Sequence, residues 1–513
     1  MGELSGINGI AGSYAEQVPI VHIVGIPSTA DQENRLILHH TLGNTKFDVF
    51  AQCYSMCSAA TIVIDKFTTG PMVDRALETC IARNLPIYIG LPTDMVNVKW
   101  STYPLQKKLQ QLPLPNDVDT ERAALNEILD VLKKATNVVI LCDAGASRDS
   151  CSEEVGYLLK KCSHWPFFVT TMGKGSVDEQ LPNYAGTYVG RFSYDGVRKR
   201  IEEADAVISI GRFTSDFNTG FFSNAFPVAK MVDLHATYTV VDEALFNGVG
   251  MKRLLPLLAD SLTEHMSAGK DTDNEEHQRK KAKTLELPSQ LCYTPCPAPQ
   301  KGSPLTHDWL WPRFQEWIQE GDIFLAEPGT PFFGALDFRL PTGTSLLAQY
   351  LWCSIGYATG AVSGAILANQ AMGNENKRRV IGVLGDGSFQ FTVQEMSTLV
   401  RRKMTAWIFL IENKGYAIEK YIHGVDREYN MINDNWQYDK TMAYFGDTND
   451  ASYDIKNEDE FDQLLNSKEF SDISKPGVRF VVLHLGALDA PRMLRGLAES
   501  KGRFDAQGKL FDP

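Results

Sequence analysis

This sequence predicts an α/β protein of three parallel-sheet units, and three observations predict it. Short apolar runs alternate with amphipathic helical stretches along the chain, the pattern of strands covered by helices on both faces. Two seams rich in charge, Pro or Gln interrupt that alternation. The length of 513 residues also exceeds the roughly 250–300 residues at which a single hydrophobic core stops growing.

The elements follow in chain order. In a first unit, 1–110, the runs IVHIVGIP (20–27) and LPIYIGLP (85–92) read as strands. The Pro-, Leu- and Gln-rich stretch 103–123 reads as a crossing into a second unit, 115–265. There NVVILCDAG (137–145) and AVISIGRF (206–213) are the strand candidates. Residues 266–304 turn charged and then Pro-rich, as a long linker does. The basic run HQRKKAK (277–283) reads as a solvated part of it. The third unit, 305–513, carries RVIGVLGDG (379–387) and TAWIFLIEN (405–413). Between them Val393, Met396, Leu399 and Val400 fall at helical spacing, which predicts a helix over 392–402 packed on the sheet.

Composition narrows the function. Hydrophobic residues make up 43% and charged residues 22%, and the net charge is −13. That balance argues against nucleic acid or an anionic membrane as a partner. No apolar run approaches the ~20 residues of a membrane span. The start MGELSG has Gly6 where N-myristoylation needs Ser or Thr, and lacks the basic and apolar regions of a signal peptide. Nine cysteines with no CxxC pair point to reduced thiols and a cytoplasmic setting.

The chemistry concentrates between Gly382 and Gly424. No GxxxxGK[ST] loop occurs, and Gln390 stands where a GxGxxG fingerprint requires glycine. What does occur is a strand, Gly385-Asp386-Gly387, a helix, a second strand and Asn413. A right-handed crossover makes the two strands parallel and sets Asp386 and Asn413 at neighbouring carboxyl ends, where open α/β sheets bind ligands. The glycines admit a ligand close to the backbone, and the following helix start suits phosphate. Asp386 offers one anionic oxygen and Asn413 a neutral one, a donor set that Mg2+ completes with phosphate and water.

The same stretch resembles the signature of thiamine-diphosphate enzymes. GELSGINGIAGSYAEQVPIVHIVGIPS, LILHHTLGN, SDFNTG, AEPGTPFFG, LWCSIGYATGA and YAIEKYIHG extend the likeness over essentially the whole chain. Together they resemble the 2-oxo acid decarboxylase family, nearest its fungal pyruvate decarboxylases. The resemblance implies three doubly wound units: a pyrimidine-binding domain, a central domain and a diphosphate-binding domain. It implies thiamine diphosphate and Mg2+ as cofactors. Asp386, Asn413 and the Gly415 carbonyl match the metal ligands, Gly387 and Ser388 match the diphosphate cradle, and Gly385 and Tyr416 are further cofactor-binding positions. Thr330 and the backbone of Cys353 match groups that hold the aminopyrimidine, Ile355 the residue that props the cofactor in its bent shape, and Ser354 is a further cofactor-binding position. His39 and His40 match the decarboxylase histidine pair and Glu419 the acid beside the substrate carboxylate, with Ile418 and Ile422 lining the pocket.

The implied reaction is non-oxidative decarboxylation of pyruvate to acetaldehyde and CO2 through a cofactor carbanion, by a homodimer or homotetramer. Bulkier phenylpyruvate or indolepyruvate is the second reading, and a catalytically impaired cofactor-binding fragment the third. In the family several tens of residues precede the segment that GELS matches, among them the Glu that protonates the aminopyrimidine. No residue of this chain matches it, so a first unit lacking its start and a poor decarboxylase are expected. Substrate-activated fungal members carry two adjacent cysteines where this chain has Gly145 and Ala146.

Overall fold

A computed structural model describes residues 1–68, 70–109, 115–226, 231–268, 295–374, 377–425, 427–447 and 452–500. The chain divides into two compact units, Met1–Asp117 and Val118–Pro513.

In the first unit a parallel three-stranded sheet has the order β1 (Val21–Ile26), β3 (Ile87–Pro92), β2 (Ala60–Val63). Val21 pairs with Ile87, and Ala60 pairs with the same residue from the other side. Only the central strand β3 is buried along most of its length, as a parallel strand with a neighbour on each side should be. The helix Gly70–Arg83 packs Ala76 and Cys80 against it.

The second unit holds two sheets. Seven strands, β4 (Val138–Cys142), β5 (Phe167–Val169), β6 (Tyr184–Thr187), β7 (Ala206–Ile210), β8 (Met231–Leu234), β9 (Tyr238–Val241) and β10 (Ala244–Asn247), are ordered β10-β9-β8-β7-β4-β5-β6. Here the all-parallel expectation is modified, because β9 and β10 pair antiparallel at one edge. Connections of three and two residues between β8, β9 and β10 are too short for a parallel crossover. The second sheet joins β11 (Ile323–Ala326), β12 (Ser345–Leu347), β13 (Val380–Gly385), β14 (Ala406–Glu412), β15 (Ser452–Ile455) and β16 (Val478–His484). Its order is β12-β11-β13-β14-β16-β15, all parallel. One apolar core runs from Ala144, Met172 and Phe192 beside the first of these sheets to Trp311, Phe324 and Phe409 of the second.

Two further expectations change. The helix over 392–402 is two pieces, Asp386–Thr392 and Glu395–Arg401. β-Branched Thr392 and Val393 sit at the break, where helix propensity is weak, and the Thr392 hydroxyl donates to the Gly356 carbonyl (2.9 Å). The helix Met251–Ala268 also continues past 265 into the stretch read as linker. Residues 269–294 of that stretch lie outside the described residues.

Candidate active site

β13 and β14 are neighbours in register, Gly385 opposite Ile411, so the residues that follow them emerge side by side. Asp386 is 1% exposed and Asn413 3%. The Asp386 carboxylate accepts from three backbone N–H groups: Gly387 (2.7 Å), Asn413 (3.0 Å) and Gly415 (3.3 Å). Burial nevertheless pushes its pKa up to about 6, because desolvation disfavours the charged form more than those donors favour it. The Asn413 side-chain amide lies 3.3 Å from Asp386 Oδ1 and 2.9 Å from the Gly415 carbonyl. With the amide oxygen toward them, three acceptors converge with no donor among them. With the amide turned over, its NH2 donates to both. A hard cation suits the first arrangement. Among the described residues no group of three or more His, Cys, Asp or Glu could hold a metal; this donor set is one carboxylate, one amide and one peptide carbonyl.

The glycines meet steric demands. A Cβ on Gly387 would lie 2.4 Å from Tyr416 Cε1, so the turn and that ring need the hydrogen. Gly415 has φ +116, and a Cβ there would lie 2.3 Å from the Asn430 carbonyl oxygen. Tyr416 N–H donates to the same oxygen (3.1 Å). Burial, then the Asp386 charge, raises the Tyr416 pKa. Ser388 is buried one residue on.

Thr330 opens the helix Thr330–Ala335 just past β11 and is buried. Cys353 adopts left-handed backbone, φ +50. Ser354 N–H donates to the Gln349 side chain (2.8 Å). Ile355 remains 37% exposed. Ile418 packs partly buried against the core. Glu419 is 40% exposed and lies 3.3 Å from His423 Nε2 one helical turn on. The side chain of Ile422 lies outside the described residues.

His39 and His40 belong to the first unit and are exposed. Their rings meet edge to face with centroids 4.7 Å apart, and His40 has φ +60. Both line a cavity of about 990 Å3 that Glu3, His22, Asp31 and Phe47 also line.

Two buried side chains at the site went unread in the sequence. Lys420 is 6% exposed, and its ammonium donates to the carbonyls of Asn413 (3.3 Å) and Lys414 (2.6 Å), pinning the two peptide bonds that flank Lys414 in the turn after β14. Glu327 stands between β11 and Thr330, with its carboxylate on the start of the helix Tyr357–Ala371. A carboxylate directly after an apolar strand was its available signal, since that is where sheet ligands gather. The positions of the absent cysteine pair, Gly145 and Ala146, are buried. Gly145 sits so close to Gly211 that a Cβ would lie 2.5 Å from its Cα. Cys142 is fully buried, with its thiol pushed far above the ordinary range by desolvation.

Comparison with known proteins gives a consistent picture. Residues 125–251 match the model of the thiamine pyrophosphate enzyme central domain, and 331–473 that of the C-terminal TPP binding domain. The chain is 38% identical over 496 residues to pyruvate decarboxylase isozyme 1 of Saccharomyces cerevisiae, covering 96% of this chain and 84% of that one. It is 38% identical over 495 residues to the pyruvate decarboxylase of Kluyveromyces lactis, with the same coverage. With that of Candida glabrata it shares 37% over 508 residues, 99% of this chain and 86% of the other.

Proposed function

Because this chain belongs to the thiamine-diphosphate-dependent decarboxylases, close to pyruvate decarboxylase, we propose that it converts pyruvate to acetaldehyde and CO2. The convergence of Asp386, Asn413 and the Gly415 carbonyl carries the reading, because it fits the Mg2+ that would fasten a diphosphate. Gly385, Gly387 and Ser388 form the cradle beside it, with Tyr416 closing one wall. Thr330 and the backbone of Cys353 hold the aminopyrimidine end, Ser354 lies beside them, and Ile355 props the cofactor in its bent shape.

When bound, thiamine diphosphate supplies the nucleophilic carbon for the keto group and the sink for the electron pair that CO2 leaves. The chain's residues orient the acid, exclude water and move protons. His39 and His40 suit proton transfer near neutral pH, and Glu419 suits a place beside the substrate carboxylate. Branched Ile418, partly buried, narrows the pocket toward a small acid. Apolar walls discriminate by only about 1–3 kcal/mol per misfitting methylene, so some turnover of phenylpyruvate goes with this reading. Assembly as a homodimer or homotetramer belongs to the same reading, and the molar mass of the purified protein in solution tests it. The eight described cysteines are all free thiols, in keeping with the cytosol.

The test is acetaldehyde release from pyruvate by the purified protein, with and without thiamine diphosphate and Mg2+, and after chelation. Release that needs both cofactors, with kcat/KM higher for pyruvate than for phenylpyruvate, is expected. A clear preference for phenylpyruvate would move the assignment to bulkier 2-oxo acids. Undiminished activity after chelation would remove Mg2+ from it.

A further inference from the structure

Glu327 is a fully buried carboxylate that the reading above leaves unused. Its backbone is committed to the sheet: its N–H donates to the Val383 carbonyl (3.0 Å), and its carbonyl accepts from Phe332 N–H (3.1 Å). Its side chain reaches across the sheet end. Oε1 accepts from Gly356 N–H (2.9 Å) and Oε2 from Ala358 N–H (2.9 Å).

What it holds is backbone in an uncommon conformation. Cys353 has φ +50 and Gly356 φ +90. A Cβ on Gly356 would lie 2.9 Å from Thr392 Cγ2. Non-glycine residues persist at positive φ only where their surroundings over-determine them. Here Gln349 Oε1 accepts from Ser354 N–H (2.8 Å), Thr392 Oγ1 donates to the Gly356 carbonyl (2.9 Å), and Glu327 takes the two amides on either side of Tyr357. Three side chains from three places in the sequence thus grip the turn 353–356.

We propose that Glu327 is a positioning residue for the cofactor, its carboxylate fixing the 353–356 turn in the conformation that receives the aminopyrimidine. This rests on the thiamine diphosphate reading and adds a residue that acts through the backbone at the start of the helix Tyr357–Ala371. Desolvation pushes its pKa up to about 7, against the N–H groups of Ala358, Gly356 and Tyr357. The elements around it bring few titratable groups. The helix Thr330–Ala335 has none, the helix Tyr357–Ala371 has Tyr357, the segment 348–356 has Tyr350 and Cys353, and Asp386 follows β13. None contributes a charge interaction to its shift. The charged carboxylate accepts both amides, whereas the neutral acid turns one oxygen into a donor facing an N–H. The grip is therefore nearly complete at pH 8 and weakens as pH falls through about 7.

Two measurements test this. One is calorimetric affinity for thiamine diphosphate with Mg2+ from pH 8 to pH 6. The other is amide exchange over 353–358 without added cofactor, corrected for intrinsic rates. Wild-type affinity should fall about tenfold across that range, the change in ionised fraction of a group near pH 7, with exchange rising in parallel. Glu327→Gln should bind about tenfold more weakly at pH 8, exchange faster over 353–358 at every pH, and lose most of the tenfold fall in affinity. Gln349→Ala should also bind more weakly but keep the wild-type pH dependence. Wild-type affinity and exchange in Glu327→Gln would overturn the proposal. So would a flat wild-type profile, which decides the matter even if Glu327→Gln does not fold. No binding of thiamine diphosphate by wild type at any pH would overturn the cofactor reading itself, and this role with it.

Discussion

At the scale of single residues the site is decided by what a hydrogen atom permits. Gly387→Ala would place a methyl 2.4 Å from Tyr416 Cε1, inside the contact distance of any two carbons, so the ring or the turn must shift. Such overpacking costs about 1–3 kcal/mol. If the shift falls on the cradle, thiamine diphosphate affinity should drop roughly ten- to a hundredfold, and the melting temperature of the cofactor-free protein should fall by a few degrees. Titration calorimetry and thermal denaturation check the pair. Unchanged affinity would show that the diphosphate does not use this turn. Gly387 and Asp386 were legible because a turn after an apolar strand announces itself in residue type. Lys420 was not, because a lysine beside Glu419 in a short helix looks like a solvated charge until the carbonyls of Asn413 and Lys414 fold over it.

At the scale of elements, β14 carries the second unit. It lies between β13 and β16, and its residues 406–411 are 0% exposed. Trp407 in it donates from Nε1 to the Phe470 carbonyl (2.7 Å), and the guanidinium groups of Arg479 and Arg379 lie 4.6 and 5.7 Å from its ring centre. Trp407→Ala should destabilise the protein by about 3–5 kcal/mol, the usual cost of emptying a buried aromatic site. Denaturant unfolding followed by circular dichroism measures it, and a loss below 1 kcal/mol would show that the surroundings collapse into the space. The apolar runs that mark β13 and β14 were readable because a parallel strand is buried on both faces. The antiparallel edge of β9 and β10 was not anticipated, and neither was the break at Thr392, which depends on the Gly356 carbonyl lying within reach.

At the scale of the whole molecule, the buried pair Lys174–Glu179 ties the two sheets of the second unit together. Both side chains are fully buried, with Nζ 2.9 Å from Oε2. Lys174 also donates to the Phe338 carbonyl (2.6 Å), and Leu340 N–H donates to Glu179 (3.0 Å). Removing one member strands a charge without its counter-ion, which costs about 3–5 kcal/mol. Lys174→Met should therefore lower stability by that amount, and Lys174→Met with Glu179→Leu should recover a large part of it. Chemical denaturation of the single and double variants decides, and additive losses would mean that the pair is not coupled. Sequence by itself determined the α/β class, the strands β13 and β14, and the placement of Asp386 and Asn413 at their neighbouring ends, because periodicity and turn residues are local and the motif spacing fixes adjacent strand ends. Tertiary structure alone decided which charges are buried, how the turn at 353–356 is gripped, and that the segment around Lys174 locks onto 338–340. Those outcomes depend on desolvation or on contacts between separate elements, up to 164 positions apart for Lys174 and Phe338, and neither leaves a mark on the local sequence.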